Sequence, residues 1–369
     1  MGAVNPMKIL LVTGIYPPDV GGPATFIPQL AQALVEKGHI CKVLTLSDTK
    51  IIENNDKLFK VIRVKRKTPL LLRFIMNVGI IAVHILFGYR IFANGLHEEC
   101  GIALSFTGGK GVAKIVGDPI WERATNSLST SLNLQEFNSK KIKMTYRAQR
   151  KLLKFALNNF GTIITPSLEL QKIVRKWGVN KRILFIPNGV SSKKLETNEK
   201  IYDVITVSRL VSWKNVDILV DSANKYGFSL CIIGDGPELE KIKAKATNND
   251  KIILKGRLNQ DQVDELLKQS RLFALISDYE GLSFALLQAM SFGLPVFVSN
   301  VPGNSFVVSK SKNGVATSNS NAENIGREIS KLLLNVKMLE VYSTNSLISV
   351  RDFFNIELCL EKTIEAVEA

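Results

Sequence analysis

Residues 271–300, RLFALISDYEGLSFALLQAMSFGLPVFVSN, constrain the fold more than any other part of the chain. The first six form an apolar run of the length and type of a strand buried on both faces of a parallel sheet. Ser277, Asp278 and Gly281 supply turn chemistry. After Ser283, a good N-cap, the apolar residues Phe284, Ala285, Leu287, Ala289 and Met290 recur at helical spacing. Gly293 ends that helix, and residues 295–298 begin another strand. Glu280 is therefore expected at the carboxyl end of a parallel strand, beside a fresh helix N-terminus. In open α/β sheets that crevice is where ligands bind, and the free N–H groups there attract anions.

The same alternation of strand and helix runs through the chain. Residues 8–13 (KILLVT) read as a strand, and 14–23 (GIYPPDVGGP) as a Gly-rich loop leading into an amphipathic helix over 24–37. These are the parts of a phosphate-binding βα turn, although the loop lacks the G-x-G-x-x-G spacing of a dinucleotide site. Further strands are expected at 39–46, 60–64, 90–93, 113–116, 161–167 and 183–190, and then at 204–208, 230–237 and 252–257. Helices are expected at 168–177, 261–270, 321–334 and 355–368. A length of 369 residues suits two domains, each able to bury its own core.

Charge divides unevenly between the halves. Residues 1–188 hold 27 Lys and Arg against 11 Asp and Glu, whereas residues 189–369 hold 21 against 22. The whole surplus of +15 thus belongs to the N-terminal half, which suggests an anionic surface as partner, with plain solubility as the alternative. Arg63, Lys65, Arg66 and Lys67 cluster just before residues 70–92, the most apolar stretch of the chain. Arg73, Asn77, His84 and Arg90 interrupt that stretch, so it falls short of a membrane span of about 20 apolar residues. A buried helix is the first expectation; a face dipping into an anionic membrane interface is the second. Residues 140–154 read as a basic helix with an apolar stripe, either simply solvated or docking on phosphate or membrane. No aromatic stacking platform or zinc pattern accompanies it, so nucleic acid is not expected as a partner. Cys41, Cys100, Cys231 and Cys359 form no C-x-x-C pair and are expected as buried free thiols in a reducing cytosol. No signal peptide is read before Met7, and residues 1–6 are expected to be disordered or an added leader.

Residues 280–290, EGLSFALLQAM, resemble the donor-site signature E-G-x-x-x-x-x-x-E-A-M of the retaining GT-B glycosyltransferases of the group 1, or family 4, class, with Gln288 in place of the second glutamate. Three further segments carry the likeness. Pro17, Pro18, Gly21 and Gly22 are similar to the P-P-x-x-G-G loop that opens these enzymes. Residues 209–215 (RLVSWKN) match G-R-L-x-x-x-K-G at Arg209 and Lys214, with Ser208 and Asn215 for the flanking glycines. Residues 187–189 (PNG) resemble the interdomain hinge. The resemblance implies two Rossmann-like parallel-sheet domains facing each other across a cleft: an acceptor domain over 1–188, a nucleotide-sugar donor domain over 189–345, and a C-terminal helix, 346–369, crossing back to the first.

It also implies roles. Arg209 and Lys214 grip the donor diphosphate, whose departing charge fixed cations stabilise best in the transition state. Glu280 lies near the donor-sugar hydroxyls, and the backbone of Gly281, Leu282, Ser283 and Phe284 faces sugar or phosphate. Gly21 and Gly22 approach the donor from the first domain, while Gly256 and Arg257 are modest candidates for base contact. Gln288 takes the place of the carboxylate that holds the ribose diol; its amide oxygen still accepts, without charge assistance worth about 1–2 kcal/mol. Many relatives carry a histidine after the strand at 113–116, where this chain has Gly117 and Asp118. Asp118 is thus a candidate for acceptor orientation or proton acceptance, with a capping role as the alternative; Trp121 packs or flanks the acceptor.

The expected reaction is transfer of a sugar from a nucleoside-diphosphate sugar to a hydroxyl of a glycan or lipid-linked acceptor, with retention. No metal or other cofactor is expected, and the protein is expected in the cytoplasm, with the inner membrane face as a peripheral seat. Three rivals stand beside it: a GT-B enzyme that epimerises or phosphorolyses sugars, a catalytically weak or silent nucleotide-sugar-binding protein, and, with least support, a dehydrogenase. Hydrolysis by paired carboxylates has no visible basis.

Overall fold

The computed structural model describes residues 5–19, 21–48, 58–127, 130, 132, 134–139, 142–193 and 199–369. The expectation for the leader over 1–6 falls largely outside them. The chain divides into two compact units, Met1–Ile186 with Cys359–Ala369, and Pro187–Leu358. Helix Val336–Asp352 stays with the second unit, and helix Ile356–Glu368 runs from one unit into the other.

In the first unit, the described residues form seven strands: β1 (Lys8–Thr13), β2 (Ile40–Ser47), β3 (Lys60–Lys65), β4 (Tyr89–Asn94), β5 (Gly111–Lys114), β6 (Thr162–Thr165) and β7 (Arg182–Phe185). They pair in parallel in the order β3-β2-β1-β4-β5-β6-β7. Helices cover both faces of such a sheet, so its central strands are apolar without alternation. Ile9, Leu10, Leu11 and Val12 of β1 and Ile91, Phe92 and Ala93 of β4 are all fully buried. The winding reverses between β1 and β4, and the loops that leave their carboxyl ends flank the switch point where such sheets take ligands.

The second unit repeats the plan with β8 (Tyr202–Val207), β9 (Leu230–Ile233), β10 (Ile252–Gly256), β11 (Ser270–Leu275), β12 (Val296–Ser299) and β13 (Gly314–Thr317). These lie in the order β10-β9-β8-β11-β12-β13, all parallel. Successive residues of each strand feed two different apolar clusters. Val204, Leu230, Ile232 and Leu272 belong to one; their neighbours Ile205, Cys231, Ile233 and Phe273 belong to the other. Here the switch point lies between β8 and β11.

The expectation of a buried helix over 70–92 is corrected. The helix is Leu70–Leu86, ended by the Phe87–Gly88 turn, with Gly88 at φ 82°. It buries only Asn77, Ile81, Ala82 and Ile85. Leu71, Ile75 and Leu86 are 73%, 58% and 74% exposed, and Leu72, Met76, Val83 and Phe87 are exposed beside them. The helix is apolar on its packed side and its outer side alike, so hydropathy alone could not tell them apart. The four cysteines are buried free thiols; burial pushes the Cys41 and Cys231 thiols up to about 12. Among the described residues no helix is long and apolar enough to cross a membrane.

Candidate functional site

Two loops of the second unit, one leaving β8 and one leaving β11, meet at its switch point. The first runs through Arg209 and Leu210 into a 3-10 turn, Ser212–Lys214, and then Asn215 at φ 49°. Asparagine is among the few non-glycine residues that accept this left-handed conformation. That is why it can occupy the place of the glycine in the resembling motif. The second loop runs from Ile276 to Ser283, whose hydroxyl accepts from Leu286 N at 3.3 Å and caps helix Phe284–Ser291.

The loops are tied to each other. Lys214 Nζ donates to Glu280 Oε1 in a direct ion pair, with side chains 17% and 8% exposed. Ser277 Oγ donates to the same carboxylate oxygen at 2.7 Å, and Ser299 Oγ of β12 in turn donates to Ser277 O at 2.6 Å. Asp278 N donates to Trp213 O at 2.8 Å, and Asn215 Nδ2 to Asp278 Oδ1 at 2.7 Å. Burial raises the Asp278 carboxyl above its ordinary range, against the pull of the Asn215 amide. Asn188 Nδ2 donates to Leu282 O at 2.9 Å, which fastens the 187–189 segment to the Glu280 loop. Arg209 is exposed, and its side chain has no hydrogen bond or ion pair among the described residues.

Glycine makes this packing possible at two places. A Cβ on Gly303, in the first turn of helix Pro302–Ser311, would stand 2.4 Å from Glu280 O. One on Gly236 would stand 2.3 Å from Leu210 O, at φ 159°. Residues 234–236 thereby give the Arg209 loop a close-packed support.

Lys214 and Glu280 are thus in direct contact, with Arg209 on the loop of the first and the 281–284 segment continuing the loop of the second. Gln288 lies on the helix that Ser283 caps, and its Nε2 donates to Asp264 Oδ1 at 2.7 Å. Gly256, at φ 65°, and the exposed Arg257 lie at the end of β10, two strands away from β8 on the same carboxyl edge.

Gly21, Gly22 and Asp118 belong to the first unit. Gly22 starts helix Gly22–Glu36, and the loop before it is strapped down by the basic cluster. Arg66 donates to Asp19 Oδ2 at 2.7 Å and to Asp48 Oδ2 at 3.0 Å, while Arg63 donates to Pro17 O at 3.0 Å. Two cations read as a surface cluster are therefore committed to holding the loop. Asp118 is fully buried and caps helix Pro119–Asn126: Oδ1 accepts from Ile120 N and Trp121 N, both at 3.1 Å. Its Oδ2 accepts from Arg150 at 2.7 Å and Asn138 at 3.2 Å, so both oxygens are occupied by the scaffold. Trp121, 1% exposed, packs and donates to Leu132 O at 2.9 Å.

Several contributors escaped sequence reasoning: Ser277, Asp264 and Gly303. Ser277 was visible only as turn chemistry, and Asp264 only as one polar residue of an amphipathic helix. No spacing rule links either to Glu280 or Gln288, because the sheet brings them together.

The pattern shared by the family described as "Glycosyl transferases group 1" matches residues 189–347. An uncharacterized glycosyltransferase of Methanocaldococcus jannaschii is 27% identical over 58% of this chain and 60% of its own length. One of the human phosphatidylinositol N-acetylglucosaminyltransferase subunits is 27% identical over 80% of this chain and 62% of its own. The chain thus spans about three-fifths of the length of these relatives. Among solved structures, sucrose-phosphate synthase of Thermosynechococcus elongatus superposes with a TM-score of 0.79 at 18% identity, over 98% of both chains. HepE of Anabaena, in complex with UDP and glucose, does so with a TM-score of 0.78 at 16% identity, over 98% of this chain and 100% of its own. At these identities the superpositions establish the fold, two Rossmann-like parallel-sheet domains of GT-B type.

Proposed function

We propose that the chain, whose residues 189–347 match the group 1 glycosyl transferases, moves a sugar from a nucleoside-diphosphate sugar to a hydroxyl acceptor with retention at the anomeric carbon. The observation that carries this reading is the Lys214–Glu280 pair at the β8/β11 switch point, with Arg209 on the same loop as Lys214 and its side chain unpaired among the described residues. A carboxylate that can bond sugar hydroxyls and two cations that can meet a diphosphate stand there together. The anomeric C–O bond breaks with its electron pair passing to the diphosphate. The acceptor hydroxyl oxygen bonds to the same carbon, and its proton goes to the departing phosphate oxygen. Arg209 and Lys214 supply the stabilising charge as the leaving group gains its own, so we propose that no metal ion is required. Glu280 orients the sugar, and the amides of Gly281 to Phe284 face sugar or phosphate. Gly256 and Arg257 are proposed as base contacts. Asp118 is left to its cap.

The HepE structures with UDP, UDP-glucose and glucose make a uridine donor the first to test. Relatives named for transfer to phosphatidylinositol support a lipid-borne acceptor. We propose an anionic membrane as the seat, through the exposed face of helix Leu70–Leu86. Lys65 and Lys67 stand exposed before that helix, and Lys8 Nζ donates to Phe87 O at 3.3 Å at its far end. Cell-surface glycan or lipid-linked oligosaccharide synthesis is the setting such an acceptor implies. The second reading, a weak or silent nucleotide-sugar binder, is favoured by Gln288 and by Gly117 and Asp118 where many relatives carry a histidine.

A thermal-shift screen of UDP, GDP and ADP sugars, followed by turnover of the hit with a membrane extract, tests this. Stabilisation by one donor and a product of retained configuration are expected. Stabilisation without product over long incubation supports the silent binder; no stabilisation by any donor overturns both.

A further inference from the structure

The Gln288 amide is clamped by a carboxylate from the neighbouring helix. Its Nε2 donates to Asp264 Oδ1 at 2.7 Å, the same oxygen takes Gln260 Nε2 at 2.9 Å, and Oδ2 takes Lys193 Nζ at 3.1 Å. Asp264 belongs to helix Gln260–Lys268, which a complete capping box between Asn259 and Gln262 anchors, and its side chain is only 15% exposed. An aspartate carboxylate at neutral pH accepts hydrogen bonds and donates none. Only the NH2 half of an amide can face it, so the orientation of Gln288 is dictated by its neighbour. Oε1 is turned to the other side, where it meets no protein donor among the described residues.

We infer that Asp264 is a positioning residue: it fixes Gln288 so that Oε1 is presented as an acceptor to a ribose hydroxyl of the bound nucleotide. The inference rests on the donor-site reading of Gln288 and deepens it. Asp264 also returns to the site the negative charge that the substitution at 288 removes. A carboxylate behind the amide polarises it and makes the far oxygen a better acceptor. Glutamine, with a donor at one end and an acceptor at the other, fits between a carboxylate and a hydroxyl. Glutamate does not: one of its oxygens would face Asp264 at hydrogen-bond range, with Lys193 alone to share between two like charges.

Calorimetric titration of the full chain with UDP and with 2′,3′-dideoxy-UDP tests this. The unaltered protein is expected to prefer UDP by about tenfold, the worth of one good hydrogen bond. Asp264→Asn, which accepts as well as donates and so frees the amide to turn over, should reduce that preference to about threefold or less. Gln288→Glu should not tighten UDP while Asp264 is present, and should tighten it in the Asp264→Asn background. Undiminished preference in Asp264→Asn, or tighter UDP binding by Gln288→Glu alone, overturns the inference and leaves the donor site standing. A chain that binds UDP, GDP and ADP not at all overturns the donor-site reading, and the inference with it. Melting curves of each variant separate these outcomes from loss of fold.

Discussion

Lys214 and Arg209 share a loop but not an environment. Lys214 is enclosed and joined to Glu280, so truncating it strands a carboxylate that is 8% exposed, with Ser277 as its remaining side-chain donor among the described residues. Lys214→Ala is expected to cost about 1–3 kcal/mol, roughly 2–4 °C in Tm for each kcal/mol in a domain of this size. The Arg209 side chain has no hydrogen bond or ion pair among the described residues, and Arg209→Ala should leave the Tm within about 1–2 °C. The same change should weaken UDP by about tenfold or more, as loss of a charged hydrogen bond does. Paired melting and titration curves check this; an Arg209→Ala variant that melts early and binds normally would assign the residue to the scaffold. The motif residues Glu280, Arg209 and Lys214 were legible because each occupies a fixed place after a strand. Their mutual bonds were not, since Ser277, Asp278 and Asn215 reach one another only once β8 and β11 lie side by side.

Elements differ in how plainly the sequence announces them. Helix Phe284–Ser291 begins where Ser283 supplies its cap, and every strand of the two sheets except β13, which no apolar run announced, overlaps an expected run. Helix Val336–Asp352 left no stripe to read, because serines at 346 and 349 share its buried side with Leu339 and Val350. Helix Leu70–Leu86 was legible as apolar and illegible as to side. Its outer row, Leu71, Ile75 and Val83, carries no charge and ends near Leu86 and Phe87, with lysines at either end. Burying such a row in an interface is worth about 0.8 kcal/mol per methylene, added to the attraction of anionic lipid. The Leu71→Glu, Ile75→Glu double variant should therefore bind phosphatidylglycerol vesicles at least tenfold more weakly in sedimentation assays, with an unaltered Tm. Equal sedimentation of the variant and the unaltered chain would remove this face from consideration.

Across the whole molecule, the first unit is discontinuous and the second is not. Residues Cys359–Ala369 belong with Met1–Ile186. Arg90 donates to Val367 O at 2.7 Å and Glu368 O at 2.6 Å, and the Glu368 carboxylate takes Lys37 Nζ at 3.1 Å and the buried His39 Nε2 at 2.9 Å. Burial pushes Glu368 upward, yet those two partners outweigh it and leave its carboxyl below the ordinary range. A chain ending at Leu358 loses all of these bonds along with the buried Ile364 and Val367. Its first unit should melt several degrees earlier by calorimetry, while the transition of the second stays in place; a uniform shift of both would mean the segment has no preferred unit. The consequence reaches back to synthesis. Domains close as their residues leave the ribosome, in favourable cases from the front of the chain. Here the half translated first must idle with an open seam until residues 359–369 emerge, so the second half, though made later, is the one free to finish first.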